Sequence, residues 1–144
     1  MSSWSQIEAE KAFSSAARAR RRASLARRLR GRNASCGRLV VHDELTLRSA
    51  PAATARGLRE IQLEAISGTL EPNRASQFDR EFRPAAQARS RWQSVWMAEQ
   101  RGTVLPPISV VQVGDGYAIR DGHHRVSVAR ARGALSIDAI VSAA

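Results

Sequence analysis

Cysteine, aromatic residues and long apolar runs are all scarce in this chain of 144 residues. With Cys36 as its single cysteine, the chain cannot form an intramolecular disulfide, and its sequence does not resemble a structural zinc site. No run of about 18 apolar residues and no signal peptide with an apolar segment occur, which predicts a cytoplasmic protein without a membrane partner. Aromatic residues make up 5% of the chain, but 43% of its residues are hydrophobic, which suffices for a small core.

Acidic residues are also absent between Glu10 and Asp43, a window that holds Lys11 and nine arginines. Alanine and arginine favour a helix, and Ser5 can cap this helix while Gly31 can end it. Its apolar positions form only a thin stripe, so we expect the helix to be weakly docked, or partly disordered until it binds a partner. The formal net charge of +10 makes a polyanion the expected partner.

The basic segment offers cations for non-specific binding of DNA or RNA, because arginines neutralise phosphates. The candidate residues are Arg20, Arg21, Arg22, Arg27 and Arg28. A solvated arm that binds nothing is the alternative, and the thin apolar stripe disfavours an anionic membrane surface.

Proline, alanine, serine and glycine in residues 48–57 are typical of a linker. We therefore interpret residues 1–57 as a basic helical arm and linker, and residues 58–144 as a compact domain of bacterial type. Hydrophobic periodicity predicts a small α+β fold for this domain. The predicted elements are a strand (58–63), a turn-rich loop (64–78), a helix (85–102), two strands joined by a Gly-Asp-Gly turn (105–113 and 117–121), a helix (123–133) and a strand (136–141).

The segment Asp121-Gly122-His123-His124-Arg125 lies where the second hairpin strand runs directly into a helix. The unpaired N–H groups and the positive dipole end of a helix N-terminus make an anion site, and Gly122 lets the backbone approach a ligand. The side chains of His123, His124 and Arg125 add further donors. Asp121 can cap the helix, orient a histidine or help to hold a metal on a nucleotide. The segment therefore predicts a phosphate-binding turn, and the alternative is an N-cap, a tight corner and two surface histidines.

Motifs of several enzyme classes are missing, since the chain has no nucleophile elbow, Walker A loop or Rossmann fingerprint. Adjacent histidines point in different directions on a helix, so a metal site would need ligands from elsewhere. Trp92 and Trp96 stand four residues apart, which favours core packing over a base-stacking platform. Asp79 and Arg80 either flank the pocket expected at the phosphate-binding turn or pair on the surface while Phe78 and Phe82 pack.

Residues 105–141, which read LPPISVVQVGDGYAIRDGHHRVSVARARGALSIDAIV, resemble the ParB/sulfiredoxin superfamily in its ParB N-terminal-like branch. The matching parts are Pro-Pro-Ile at 106–108, the hairpin, the turn at 121–125 and Ile-Asp-Ala at 137–139. Upstream, LREIQLEAISGTLEPNR at 58–74 is similar to the first box of that branch, which ends in an arginine. The resemblance implies a small mixed β-sheet with packed helices, preceded here by the basic N-terminal helix.

The resemblance also implies that the turn binds a nucleotide, with CTP or ATP and Mg²⁺ as the expected ligands. By position, Gly122, His124 and Arg125 would contact phosphate, and Arg74 would face them from the first box. The whole expected nucleotide site comprises Arg74, Asp121, Gly122, His123, His124 and Arg125.

Two departures from the superfamily narrow the function. His123 stands where sulfiredoxin has its catalytic cysteine, so we do not expect reduction of sulfinic acids. The helix-turn-helix of ParB does not follow before Ala144, so we do not expect site-specific centromere binding.

Three functions stay open on the sequence alone. The first is a regulatory module that binds a nucleotide and, through the arm, nucleic acid. The second is a small phosphotransferase or nucleotide hydrolase, in which His123 or His124 works with Glu64, Glu71 or Asp79 as an acid/base pair. The third is a degenerate domain that only contacts proteins. Enzymatic activity is thus left open, and the binding module is favoured because no nucleophile or base stands out.

Overall fold

The structure, a computed structural model, describes residues 3–31, 37–43 and 57–142. Cys36 and the predicted linker as far as residue 56 lie outside this part of the chain. The helices and strands in chain order are α1 (Ser3–Leu29), β1 (Val40–Val41), β2 (Gly57–Gln62), β3 (Ile66–Thr69), α2 (Arg89–Gln100), β4 (Ile108–Val113), β5 (Gly116–Asp121), α3 (His123–Ala131) and β6 (Ser136–Ser142).

The strands form one mixed sheet in the order β1-β3-β5-β4-β6-β2. The pairs β1–β3, β3–β5 and β4–β6 are parallel, whereas β4–β5 and β2–β6 are antiparallel. Val113 pairs with Gly116, so Gly114 and Asp115 form the two-residue turn of the predicted hairpin. The α+β class, the mixed sheet and the N-terminal helix are therefore confirmed. Because β5 is paired with β3 on one side and β4 on the other, the position of its last residue, Asp121, and of the start of helix α3 is fixed by the sheet.

Two strands differ from the sequence prediction. Residues 64–78 were expected to form a turn-rich loop, but Ile66–Thr69 is strand β3, and the short strand β1 pairs beside it in parallel. A Cβ atom on Gly68 would lie 2.2 Å from the carbonyl oxygen of Val40, so β1 can approach β3 only because residue 68 is glycine. The glycine that looked like turn material is required by close strand packing.

Helix α1 packs firmly on the body of the protein. Ala9, Phe13 and Ala17 are buried on one side of it. The Phe13 ring meets Trp92 of α2 edge-on, with ring centroids 5.6 Å apart, and the Arg89 guanidinium lies 4.6 Å from the centre of the Phe13 ring. The expectation of a weakly docked or disordered helix is wrong, because two alanines allow a close approach and one fully buried phenylalanine contributes about 1.5–3 kcal/mol.

The apolar stripe read from the sequence of α1 in fact divides between two faces. Phe13 and Ala17 face the core, whereas Ile7, Leu25 and Leu29 face solvent. The division of the chain between residues 57 and 58 stays a prediction, although α1 and the later helices share one hydrophobic core.

Trp92 is fully buried in that core and donates its Nε1–H to the hydroxyl of Ser127, at 2.8 Å. Trp96 is half-buried, with the Arg132 guanidinium 4.4 Å from its ring centre. The preference for core packing over base stacking is confirmed for Trp92. Among the helices of the described ranges, none combines the length and the apolar character needed to cross a membrane.

Candidate functional site

The junction between β5 and α3 requires glycine. Gly122 precedes the helix with φ 115° and ψ 21°, in the left-handed region that side chains rarely adopt. A Cβ atom there would lie 2.4 Å from Cγ2 of Ile108. The sequence suggested that Asp121 could cap the helix, but it does not. Gly122 occupies the N-cap position, and no side-chain hydrogen bond caps this terminus in the described residues. The Asp121 carboxylate instead accepts a hydrogen bond from Arg125.

All six residues of the predicted site line one cavity of about 240 Å³. These residues are Arg74, Asp121, Gly122, His123, His124 and Arg125, and the remaining wall consists of Arg91, Val95, Leu105 and Pro106. A larger cleft of about 360 Å³ lies elsewhere, between α1, the loop at 81–84 and the end of α3, and it does not include the turn. The six predicted site residues therefore lie together at the smaller cavity, and not at the larger cleft.

Arg91 is a cavity residue that sequence reasoning missed. It lies in the first turn of α2, directly before the buried Trp92 and four residues before Val95, which also lines the cavity. Residues four apart share a face of a helix. Once Trp92 was assigned to the core, the neighbouring face with Arg91 and Val95 could have been recognised.

Arg125 holds the wall of the cavity together. Its Nη1 donates to the carbonyl oxygens of Pro106 and Pro107, the latter at 3.1 Å, and its Nη2 donates to Oδ2 of Asp121 at 3.1 Å. The side chain is mostly buried, whereas that of Asp121 is exposed. These contacts fix the Pro-Pro segment on the turn, so Arg125 positions the site. Its predicted contact with phosphate stays a prediction.

Arg74 and Arg91 supply the other positive charges of the cavity. Arg74 donates to Oε1 of Gln77 at 3.3 Å. Within the described residues, no carboxylate lies within ion-pair distance of either guanidinium. Among the described residues that line the cavity, Asp121 is the one carboxylate, and it is already paired with Arg125. The cavity therefore carries an excess of positive charge.

His123 is built into the protein rather than displayed at its surface. It is 4% exposed, its Nε2 lies 2.6 Å from Oγ1 of Thr69, and its ring stacks on Phe78. The Thr69 hydroxyl donates to the carbonyl of Ile119 and accepts from the amide of Glu71. Nε2 of the neutral His123 is therefore engaged in a short hydrogen bond with the Thr69 hydroxyl.

His124 is 9% exposed and meets the Phe78 ring edge-on, with ring centroids 5.2 Å apart. Burial, reinforced by the charge of Arg74, lowers the pKa of His123 to about 4 and the pKa of His124 to about 4. Both rings are neutral at pH 7, so the positive charge of the cavity comes from arginine. The alternative of two surface histidines is wrong.

The acidic residues considered as bases do not line the cavity. Asp79 is buried, and its Oδ1 accepts from the amides of Glu81 and Arg83 at 3.0 and 2.9 Å. Burial raises the pKa of Asp79. This carboxylate holds the loop that contains Phe82, whose φ of 62° is unusual for a side-chain residue. Asp79 does not line the cavity. It does form an ion pair, with Nη1 of Arg83 at 3.5 Å, but from a buried position rather than at the surface. Glu64 and Glu71 are exposed outside the cavity. In the described ranges, no three His, Cys, Asp or Glu side chains are grouped to hold a metal ion.

The arginines proposed to contact nucleic acid do not share one face of α1. Arg21, Arg22 and Arg28 are exposed, whereas Arg20 and Arg27 are partly buried against the body. The Arg27 guanidinium lies against Gly37, and a Cβ atom at residue 37 would clash with it. Only part of the predicted set is therefore presented to a partner.

Comparisons with known proteins add little to this geometry. No protein-family model matches the chain, and no curated protein matches it either. Among solved structures, the crystal structure of sulfiredoxin from Arabidopsis thaliana is similar, with a TM-score of 0.44 and 20% sequence identity. The match covers 60% of this chain and 85% of the sulfiredoxin chain. A likeness at this level says nothing about ligand or activity, which must be argued from the site itself.

Proposed function

We propose that the protein is a nucleotide-binding module that holds the phosphates of a nucleoside triphosphate at the N-terminus of α3. The observation that carries this proposal is the convergence of Arg74 and Arg91 on the same cavity as the turn at 121–125. Neither arginine is neutralised by a carboxylate of the described residues. Such an arrangement favours a multiply charged anion.

The helix terminus supports the same ligand. The first hydrogen bond within α3 runs from the amide of Val126 to the carbonyl of Gly122, at 3.0 Å. The amides of residues 123–125 therefore precede the hydrogen-bonded part of the helix, where N–H groups and the helix dipole favour phosphate. Gly122 places no side chain over them.

The size of the cavity indicates which part of the nucleotide it holds. At about 240 Å³ it is smaller than the roughly 300–1,000 Å³ of sites that enclose a whole ligand. The phosphates would occupy it, with the base at its rim. The exposed Asp121 carboxylate, whose Oδ2 is paired with Arg125, would approach Mg²⁺ on a bound nucleotide. CTP and ATP are the nucleotides that the sequence resemblance proposes.

Binding is favoured over turnover. A phosphotransferase or hydrolase needs a base near the phosphate, but the only carboxylate in the cavity lining of the described residues is paired with Arg125. Both histidines are neutral, and Nε2 of His123 is engaged by Thr69. A domain that only contacts proteins is the remaining alternative, and it predicts no response to any nucleotide.

The proposal is tested by thermal unfolding with CTP, ATP, GTP and UTP in the presence of Mg²⁺. A ligand at 100 times its Kd stabilises the fold by about 2.7 kcal/mol. We expect at least one nucleotide to raise Tm, and Arg74→Gln and Arg91→Gln to reduce that rise. Arg80→Gln removes an exposed charge outside the cavity and should leave it unchanged.

Arg125→Ala is a poorer test, because it also releases the carbonyls of Pro106 and Pro107. No shift with any nucleotide would contradict the proposal and favour the protein-contact alternative. Release of phosphate in the same samples would favour the enzyme instead.

A further inference from the structure

Helix α1 carries a second, outward-facing stripe on the side opposite its buried residues. The stripe comprises Trp4, Ile7, Lys11, Arg18, Arg22, Leu25 and Leu29, at successive spacings of three, four or seven residues. This spacing keeps the side chains on one side of a helix. Over 25 residues, the stripe extends about 38 Å at a rise of about 1.5 Å per residue.

The apolar members of this outer stripe are well exposed. Trp4 is 71% exposed, Ile7 43%, Leu25 57% and Leu29 80%. These are four of the ten large exposed hydrophobic side chains in the described residues, and they share one helix. Scattered exposed apolar residues need no explanation, but a line of them beside a buried face indicates a contact surface.

Positive charge occupies the centre of the outer stripe. Lys11, Arg18 and Arg22 are exposed between the two apolar ends. An open depression of about 490 Å³ runs beside Ile7, Lys11 and Arg18, and its lining also includes Glu10. The described part of the chain up to residue 31 has eight basic residues and two acidic ones, Glu8 and Glu10. The stripe is thus apolar, then basic, then apolar.

This pattern selects among the possible occupants. A second copy in antiparallel alignment would place the basic centre against itself, which repulsion disfavours. DNA or RNA, expected from charge alone, matches the cations but gives Leu25 and Leu29 only phosphate and sugar to contact along a backbone. A membrane surface favours a continuous apolar line with cations at its rim, whereas here the cations interrupt the line.

We propose that the outer stripe of α1 binds an acidic amphipathic helix of a partner protein. The partner would place apolar residues against Trp4 and Ile7 at one end and Leu25 and Leu29 at the other, with Asp or Glu facing the basic centre. This is the helix-to-helix recognition in which apolar anchors supply affinity and charged positions select the partner. The inference does not depend on the nucleotide site.

The test uses the full chain and a labelled synthetic helix as the probe. On the face that would contact α1, the peptide carries leucines at both ends and glutamates at the centre. A scrambled peptide of the same composition is the control. Fluorescence anisotropy measures binding. We expect the patterned peptide to bind and the scrambled peptide to bind much more weakly.

Two variants separate the parts of the surface. Ile7→Ser, Leu25→Ser and Leu29→Ser together remove apolar area without changing charge, and should weaken binding at least about tenfold. Arg18→Gln with Arg22→Gln should also weaken it and make the remainder less sensitive to salt. None of these residues is buried in the core, so both variants should fold. Arg59→Gln with Arg80→Gln removes the same charge from exposed positions outside α1 and should have no effect.

Three outcomes would overturn the proposal. One is a wild-type chain that does not bind the patterned peptide, and another is an apolar variant that binds it as well as wild type. The third is tighter binding of a short DNA duplex, single-stranded RNA or anionic vesicles than of the peptide, with an affinity that the apolar substitutions do not change. That result would make the stripe a polyanion surface.

Discussion

Acid should destabilise this protein over a defined pH range because two buried histidines must be neutral in the folded state. The pKa of His123 and of His124 is lowered to about 4, chiefly by burial. In the unfolded chain both return to about 6.5. Between these values the unfolded state binds more protons than the folded state, so the free energy of unfolding falls as pH decreases.

The size of this effect follows from the two pKa values. Lowering a pKa from 6.5 to about 4 corresponds to about 3 kcal/mol per histidine, and to at most about 6 kcal/mol for the pair. This contribution is fully present above about pH 6.5 and is lost as pH falls towards 4. It is large compared with a typical total stability of about 5–15 kcal/mol.

Urea unfolding between pH 7.5 and about 4.5 measures this loss, and the double variant His123→Gln, His124→Gln provides the comparison. The variant is expected to be less stable at pH 7, but its free energy of unfolding should depend much less on pH. Contributions from carboxyl groups such as Asp79 occur in both proteins and cancel in the difference. Equal pH dependence in the two proteins would refute the assignment of two buried neutral histidines.

Two further predictions concern the fold, and both are measured by chemical denaturation. Phe13→Ala should lower the free energy of unfolding by about 3–5 kcal/mol because the ring is fully buried, whereas Leu25→Ala on the outer face should change it by less than about 0.5 kcal/mol. Equal effects would mean that α1 is not docked. Gly122→Ala should cost at least about 1–3 kcal/mol, since it combines a left-handed φ with a Cβ pressed against Ile108. Gly133→Ala shares the positive φ but has open space for a Cβ, so it should cost less, and the reverse order would contradict the packing argument.

The parts of the fold that sequence reasoning predicted correctly are those specified by neighbouring residues. The hairpin around Gly114 and helix α3 have turn residues and periodicity within a short window. Strands β1 and β3 have no such local signal. They are only two and four residues long, and their pairing depends on the contact of Gly68 with Val40. The docking of α1 was missed because residues of its buried and exposed faces were counted as one stripe.

In the candidate site, too, the features set by neighbouring residues could be predicted and those set by distant residues could not. The turn at 121–125 is contiguous, so its residues could be grouped from the sequence. The role of Arg125 could not be predicted, because its acceptors Pro106 and Pro107 are 19 and 18 residues away. The burial of the histidines depends on Phe78 and Thr69, which come from a distant segment and a strand that the periodicity did not show.

The most direct test of the nucleotide site is an NMR titration that follows backbone amide resonances as CTP or ATP with Mg²⁺ is added. If phosphate binds at the N-terminus of α3, the largest changes should fall on the amides of residues 122–125, with the Arg74 and Arg91 side chains also affected. In Arg91→Gln the same resonances should move only at higher nucleotide concentration. Changes confined to α1, or no saturable change at residues 122–125, would contradict a phosphate site at this turn.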